Sequence, residues 1–230
     1  MQMNKKNRRA KFVSFSGIDG AGKGTQIEAL TARLQQAGLR TRLIAFWDDV
    51  ARLKNLRETT GHKLFKGDKG VGRPDAPINR RDKNVQSLPM NGLRLGLYLL
   101  DAISLRMVVE KALRSGADVV ICDRYAYDEL ANLPLDIPAA RAYARMILKI
   151  VPRPNVRYLL DADPVQARAR KPEYPVDFLH KNRASYLALS KMAGMTVIPA
   201  VSIDEATREV LRHATEVLPD QTQPTTEVFT

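Results

Sequence analysis

The chain has 230 residues, of which 44% are hydrophobic and 27% are charged, and its 37 basic and 25 acidic side chains give a formal net charge of +12. This composition indicates a globular protein of one domain, because no apolar run approaches the roughly 18 residues that cross a bilayer. The single cysteine excludes an internal disulfide, and the scattered histidines offer no zinc-binding cluster. We therefore expect a cytoplasmic protein.

The two ends of the chain differ in composition from its centre. Residues 1–11 carry no acidic side chain and five basic ones, Lys5, Lys6, Arg8, Arg9 and Lys11. This excess favours a polyanionic partner and predicts weak nucleic-acid contact through a disordered arm at 1–10, although a solvated basic tail explains it equally well. Residues 219–230 lack periodicity, so we expect a disordered tail there.

Apolar segments between these ends predict strands that alternate with helices. The predicted strands cover 12–16, 39–47, 119–122, 156–160 and 195–198, and the predicted helices cover 25–37, 93–115, 138–150, 178–193 and 204–218. Because the strands are apolar on both faces, we expect a three-layer α/β domain over 11–218, with a five-stranded parallel sheet between helices. Segment 48–91 has no steady period, which predicts irregular structure.

A glycine-rich loop joins the first predicted strand to the first predicted helix. Its sequence, GIDGAGKGT, has the Gly-x4-Gly-Lys spacing of a P-loop, with Gly24 in the usual Ser/Thr position after Lys23. Backbone N–H groups in such a loop converge on phosphate oxygens, and the lysine adds a positive charge. A tight turn is the alternative, but the flanking strand and helix favour ATP. The predicted ATP-binding residues are Gly17, Asp19, Gly20, Ala21, Gly22, Lys23, Gly24 and Thr25.

An Asp-Arg pair follows the third predicted strand. In a parallel α/β sheet the carboxyl ends of the strands open into the ligand crevice, so Asp123 and Arg124 are expected beside the P-loop. A carboxylate there can hold Mg²⁺ through water, and an arginine can neutralise charge on a transferring phosphoryl group. A surface salt bridge explains the pair equally well in isolation. Together with the P-loop, the pair favours phosphoryl transfer.

These segments resemble the thymidylate kinase family. FVSFSGIDGAGKGTQ resembles the family's opening strand and P-loop, GADVVICDRYAYDELAN its DRY segment, and VRYLLDADPVQARAR its fourth strand and the lid that follows. The resemblance covers most of 11–215. It implies a P-loop nucleoside-monophosphate-kinase-like fold, a lid over 165–177, ATP and Mg²⁺ as cofactors, and transfer of the ATP γ-phosphoryl to a nucleoside monophosphate, with dTMP as the first choice.

The resemblance also implies roles for single residues. Lys23 would bind the donor phosphates, Asp123 would hold Mg²⁺, and Arg124 would bridge the reacting phosphates. Two residues at the start of the lid complete the catalytic set, Arg168 and Arg170. They are the expected transition-state cations because Gly20 stands where some members carry a P-loop arginine, although an exposed helix face also explains them. The expected acceptor-binding residues are Asp19, Asp48, Asp49, Arg94 and Tyr125.

The acceptor side departs from the family pattern and leaves the acceptor open. Phe46-Trp47-Asp48-Asp49 replaces the usual arginine near a proline after the second strand. A carboxylate there suits a base for a hydroxyl acceptor such as a deoxynucleoside, whereas Arg94 and other arginines suit a phosphate clamp. A non-catalytic relative that binds nucleotide or nucleic acid is a further alternative. Whether the chain forms a homodimer is also open.

Overall fold

The computed structural model describes residues 9–46 and 88–218, with the backbone alone over 88–94. The strands in these residues are β1 Lys11–Ser16, β2 Thr41–Ala45, β3 Val119–Asp123, β4 Val156–Leu160 and β5 Thr196–Ile198. The helices are α1 Lys23–Gln36, α2 Leu88–Leu113, α3 Ala126–Leu130, α4 Pro138–Ile150, α5 Pro164–Arg170, α6 Val176–Ala193 and α7 Ile203–Val217. Most of segment 48–91, the arm up to residue 8 and the tail at 219–230 lie outside the described residues.

The five strands form one sheet in which every pairing is parallel, in the order β2-β3-β1-β4-β5. The predicted five-stranded parallel α/β sheet is therefore confirmed. β1 lies in the centre, between β3 and β4, and Phe15 of β1 is in register with Asp123 of β3. The loops after β1 and β3 consequently leave the sheet side by side, which is where open α/β sheets bind ligands.

Successive side chains of β1 point to opposite faces of the sheet and therefore pack in two separate cores. Phe12 packs in the larger core under α2, α3, α4 and α6, whereas Val13 and Phe15 pack in the smaller core under α1 and α7. Ser14 and Ser16 point to the same side as Phe12, and both are fully buried. Ser16 therefore ends β1 facing the layer that contains α3 and α6.

Two short helices were not predicted from the periodicity of the sequence. The five residues of α3 make little more than one helical turn, so they show no apolar period. Helix α5 lies in the predicted lid and begins after Asp163, whose Oδ1 accepts from the N–H groups of Val165 and Gln166. No helix in the described part of the chain is long and apolar enough to span a membrane.

Candidate active site

The P-loop leaves β1 with three glycines at positive φ, namely Gly17 at 146°, Gly20 at 83° and Gly22 at 85°. A Cβ atom on Gly17 would lie 2.5 Å from the carbonyl oxygen of Leu160, so this position also needs a residue without a side chain. Gly22 is the N-cap of α1 and provides no side-chain cap. The first N–H groups of α1 are consequently left for an anionic ligand.

Lys23 lies under this loop. The residue is 8% exposed, and its Nζ donates hydrogen bonds to the carbonyl oxygens of Gly17 at 2.8 Å and Ile18 at 3.0 Å. Burial, followed by the charge of Arg124, lowers the pKa of Lys23 to about 8, against the opposing effect of nearby carboxylates. The ammonium group is therefore held at the loop while its positive charge is poorly compensated, and this favours the approach of a polyanion.

Arg124 follows β3 and has φ 65°, the left-handed region that non-glycine residues rarely adopt. Its N–H donates to the carbonyl oxygen of Phe15 at 3.0 Å, which fixes it beside the end of β1. Its guanidinium donates to the carboxylate of Asp19 in the P-loop. Nζ of Lys171 lies 3.7 Å from the same carboxylate. The carboxylate of Asp19 therefore faces two cations, Arg124 after β3 and Lys171 of the lid.

The carboxylate of Asp123 is partly buried at the end of β3. Burial raises its pKa, while the charges of Lys23 and Arg124 act in the opposite direction. Mg²⁺ on a nucleotide keeps water and phosphate ligands and needs only one or two carboxylates, so a poorly solvated carboxylate at this position fits a magnesium ligand. Among the described residues, no group of three His, Cys, Asp or Glu side chains could hold a metal on protein ligands alone.

Helix α5 lies directly on the P-loop. A Cβ atom on Gly20 would overlap the carbonyl group of Ala167, and it would lie 2.8 Å from the carbonyl carbon. Arg170 is exposed and donates from Nη1 to the carbonyl oxygen of Gly20 at 3.2 Å, whereas Arg168 is partly buried in the same helix. The structure therefore brings Arg170 to the P-loop and adds Lys171, whose Nζ faces Asp19 of the loop.

Of the other predicted acceptor residues, Tyr125 is the one whose side chain the structure describes, and it lies away from this site. Tyr125 is fully buried in the larger core, its ring packs edge-to-face on Phe12 at 5.4 Å, and its hydroxyl donates to the carbonyl oxygen of Pro152. Pro152 precedes β4, so this side chain points away from the carboxyl edge of the sheet. Asp48 and Asp49 lie outside the described residues, and Arg94 lies where the structure describes the backbone alone.

Asp128 is a residue of the site that the sequence did not single out. Its side chain is 2% exposed and accepts hydrogen bonds from Ser16 Oγ at 2.6 Å, Tyr186 Oη at 2.8 Å and the Tyr125 N–H at 2.9 Å. Its Oδ1 lies 3.5 Å from Nη1 of Arg124. One feature of the sequence could have indicated this residue: it is acidic and lies three positions after Tyr125, a spacing that stabilises the start of a helix.

The fold and the site together define a class of protein. A parallel sheet with a P-loop after its central strand, an Asp-Arg pair after the adjacent strand and a basic lid helix on the loop is the arrangement of a P-loop nucleoside-monophosphate-kinase-like phosphotransferase.

Comparison with known proteins identifies the family. The chain is 30% identical over 193 residues to a probable thymidylate kinase of Methanobrevibacter smithii, covering 82% of this chain and 85% of that protein. It is also 30% identical over 221 residues to a thymidylate kinase of Xanthomonas campestris pv. campestris, covering 90% and 82% of the two chains. A search of protein-family profiles gives no match. The chain belongs to the thymidylate kinase family, and the resemblance seen in its motifs is confirmed.

Proposed function

We propose that this protein transfers the γ-phosphoryl group of ATP to the phosphate of dTMP. The observation that carries the proposal is that Lys23 and Arg124 both contact residues of the P-loop, beside the uncapped start of α1. Cations and N–H groups arranged in this way suit the charge that spreads over a transferring phosphoryl group. The choice of dTMP is supported by the relatives, which are named thymidylate kinases.

Catalysis in this proposal consists of positioning and electrostatic stabilisation. Lys23 binds the donor phosphates, Arg124 neutralises charge on the transferring group, and Asp19 contacts the acceptor sugar. Mg²⁺ held by Asp123 would neutralise further charge on the phosphates. Arg168 and Arg170 of α5, together with Lys171 directly after it, complete the site and exclude water from it. A phosphate acceptor is already an anionic nucleophile, so no base is required.

Other expectations from the sequence stay predictions. They concern acceptor binding by Asp48, Asp49 and Arg94, weak nucleic-acid contact through the arm at 1–10, a homodimer, and a cytoplasmic location. The division into an arm, a kinase domain over 11–218 with a lid at 165–177, and a tail at 219–230 is likewise part of the proposal.

The acceptor is tested by incubating the protein with ATP and Mg²⁺ and a panel of nucleosides, monophosphates and diphosphates. ADP release is followed with a coupled assay, and the products are separated by chromatography. We expect ADP to form with dTMP and to match the dTDP produced, and we expect EDTA to stop the reaction. Phosphorylation of thymidine in preference to dTMP, or no acceptor-dependent ADP, would contradict the proposal.

The lowered pKa of Lys23 predicts how ATP binding depends on pH. In the protein without nucleotide the ammonium loses its proton as the pH rises through about 8, whereas bound phosphates favour the charged form. The affinity for ATP should therefore be constant below pH 8 and fall above it, by at most about tenfold per pH unit. Calorimetric titration with a non-hydrolysable ATP analogue between pH 6.5 and 9.5 measures this. A Lys23→Met variant should bind weakly and without this pH dependence.

A further inference from the structure

Both carboxylate oxygens of Asp128 accept hydrogen bonds, and the donors come from four parts of the chain. Oδ2 accepts from Ser16 at the end of β1 and from the Tyr125 N–H at the start of α3. Oδ1 accepts from the hydroxyl of Tyr186 on α6 and faces Arg124 after β3. A buried carboxylate is costly unless it is fully hydrogen-bonded and paired with a cation, and Asp128 meets both conditions.

The Arg124 guanidinium lies between two carboxylates that differ in exposure. Asp19 is on the P-loop with 12% of its side chain exposed, and it also faces Lys171 of the lid. Asp128 is 2% exposed and is fixed by three further donors. Asp19 is therefore able to exchange partners when a ligand enters, whereas Asp128 stays where its hydrogen bonds hold it.

We propose that Asp128 is the positioning residue for Arg124, and that it holds the guanidinium at the edge of the P-loop while Asp19 turns to the acceptor. This inference rests on the proposed function, because that function gives Asp19 and Arg124 their separate tasks. Asp128 makes no contact with substrate in this account and acts through Arg124.

The electrostatics of the site support this assignment. The charge of Arg124 lowers the pKa of Lys23, so the two cations oppose each other where both must face the same phosphates. Burial also disfavours the charge on Arg124, but the carboxylates of Asp128 and Asp19 raise its pKa above the ordinary value. When Asp19 turns to the acceptor, the carboxylate of Asp128 stays beside Arg124.

The first test is Asp128→Asn, assayed with ATP, Mg²⁺ and dTMP. Asparagine can still accept from Ser16 and from the Tyr125 N–H, and its amide can donate to the Tyr186 hydroxyl, but it offers Arg124 neither charge nor acceptor. We expect kcat to fall about 10- to 100-fold. Because Lys23 and the N–H groups of the P-loop are unchanged, KM for ATP should change by less than about 3-fold. An unchanged kcat would overturn the proposal.

A matched control is Asp118→Asn. Asp118 also accepts from an arginine, Arg40 at 3.1 Å, but this pair lies at the opposite end of the sheet, just before β3. The same chemical change there should leave kcat unaltered. A comparable fall in kcat in this control would show that the effect of Asp128→Asn is unspecific, and would overturn the proposal.

A second background separates positioning from a purely structural role. In an Arg124→Gln protein there is no guanidinium to hold, so adding Asp128→Asn should change the residual kcat by less than about 2-fold. A structural role would lower kcat by the same factor in both backgrounds, and that result would count against the proposal.

A spectroscopic measurement covers the case in which Asp128→Asn does not fold. Protein labelled with ¹⁵N-arginine is examined by NMR, and Arg124 is assigned with Arg124→Lys. In an Asp19→Asn variant the Nη protons of Arg124 should remain separate signals, because Asp128 still restrains the guanidinium. Averaging to one signal would overturn the proposal. This measurement needs no turnover, so a wild-type protein inactive on dTMP would refute the proposed function without deciding how Arg124 is held.

Discussion

Replacing Lys23 with methionine is expected to lower kcat/KM for ATP by about 10²- to 10³-fold, the cost of removing one preorganised charge from a transition state. Nζ lies within 3.0 Å of the carbonyl oxygens of Gly17 and Ile18, at the loop whose N–H groups would receive the phosphates. Methionine has a similar length and no charge, so it fills the same space without the electrostatic effect. Steady-state assays with dTMP measure the loss.

The stability of this variant distinguishes a catalytic defect from unfolding. The pKa of Lys23 is lowered to about 8 in the folded protein from 10.5, so at neutral pH folding works against the buried charge. Methionine removes that cost, and the midpoint of thermal unfolding should stay equal or rise while turnover is lost. Lys191→Met is the control, because Lys191 is exposed in the last turn of α6. Normal turnover by Lys23→Met would contradict the proposed function.

The parts of this site that could be predicted from the sequence depend on local patterns. The P-loop is recognised because its glycines and Lys23 follow one another within nine residues, and the flanking strand and helix have clear periods. The meeting of Asp123 and Arg124 with that loop follows from one rule, that parallel strands end at the same edge of a sheet.

The remaining parts depend on contacts between distant positions. Ser16 and Asp128 are 112 residues apart, and no periodic pattern in the sequence predicts that the end of β1 faces α3. Helix α3 is itself too short to show a period. Tyr125 follows the left-handed Arg124, and packing against Phe12 draws its side chain into the core rather than towards the ligand edge. Sequence alone could not distinguish these two directions.

The contact of α5 with the P-loop leads to the second large prediction, for Gly20→Ala. The added Cβ would overlap the carbonyl group of Ala167, and backbone atoms cannot rotate aside as a flexible side chain can. Helix α5 must therefore shift as a unit, since Asp163 caps its start, and Arg168 and Arg170 move with it. We expect kcat with dTMP to fall about 10- to 100-fold, because a displacement of roughly 1 Å from the reactive geometry has an effect of this size.

The control for Gly20→Ala is Gly38→Ala. Gly38 follows α1 with φ 74°, and nothing lies within 4 Å of an added Cβ, so this variant carries the backbone strain without the overlap. The left-handed conformation should lower the free energy of unfolding by about 1 kcal/mol in each variant, and the overlap should lower it further in Gly20→Ala. Only Gly20→Ala should also lose turnover, measured under saturating ATP. Equal kcat in the two variants would contradict the prediction, because it would mean that α5 need not rest on the P-loop for transfer.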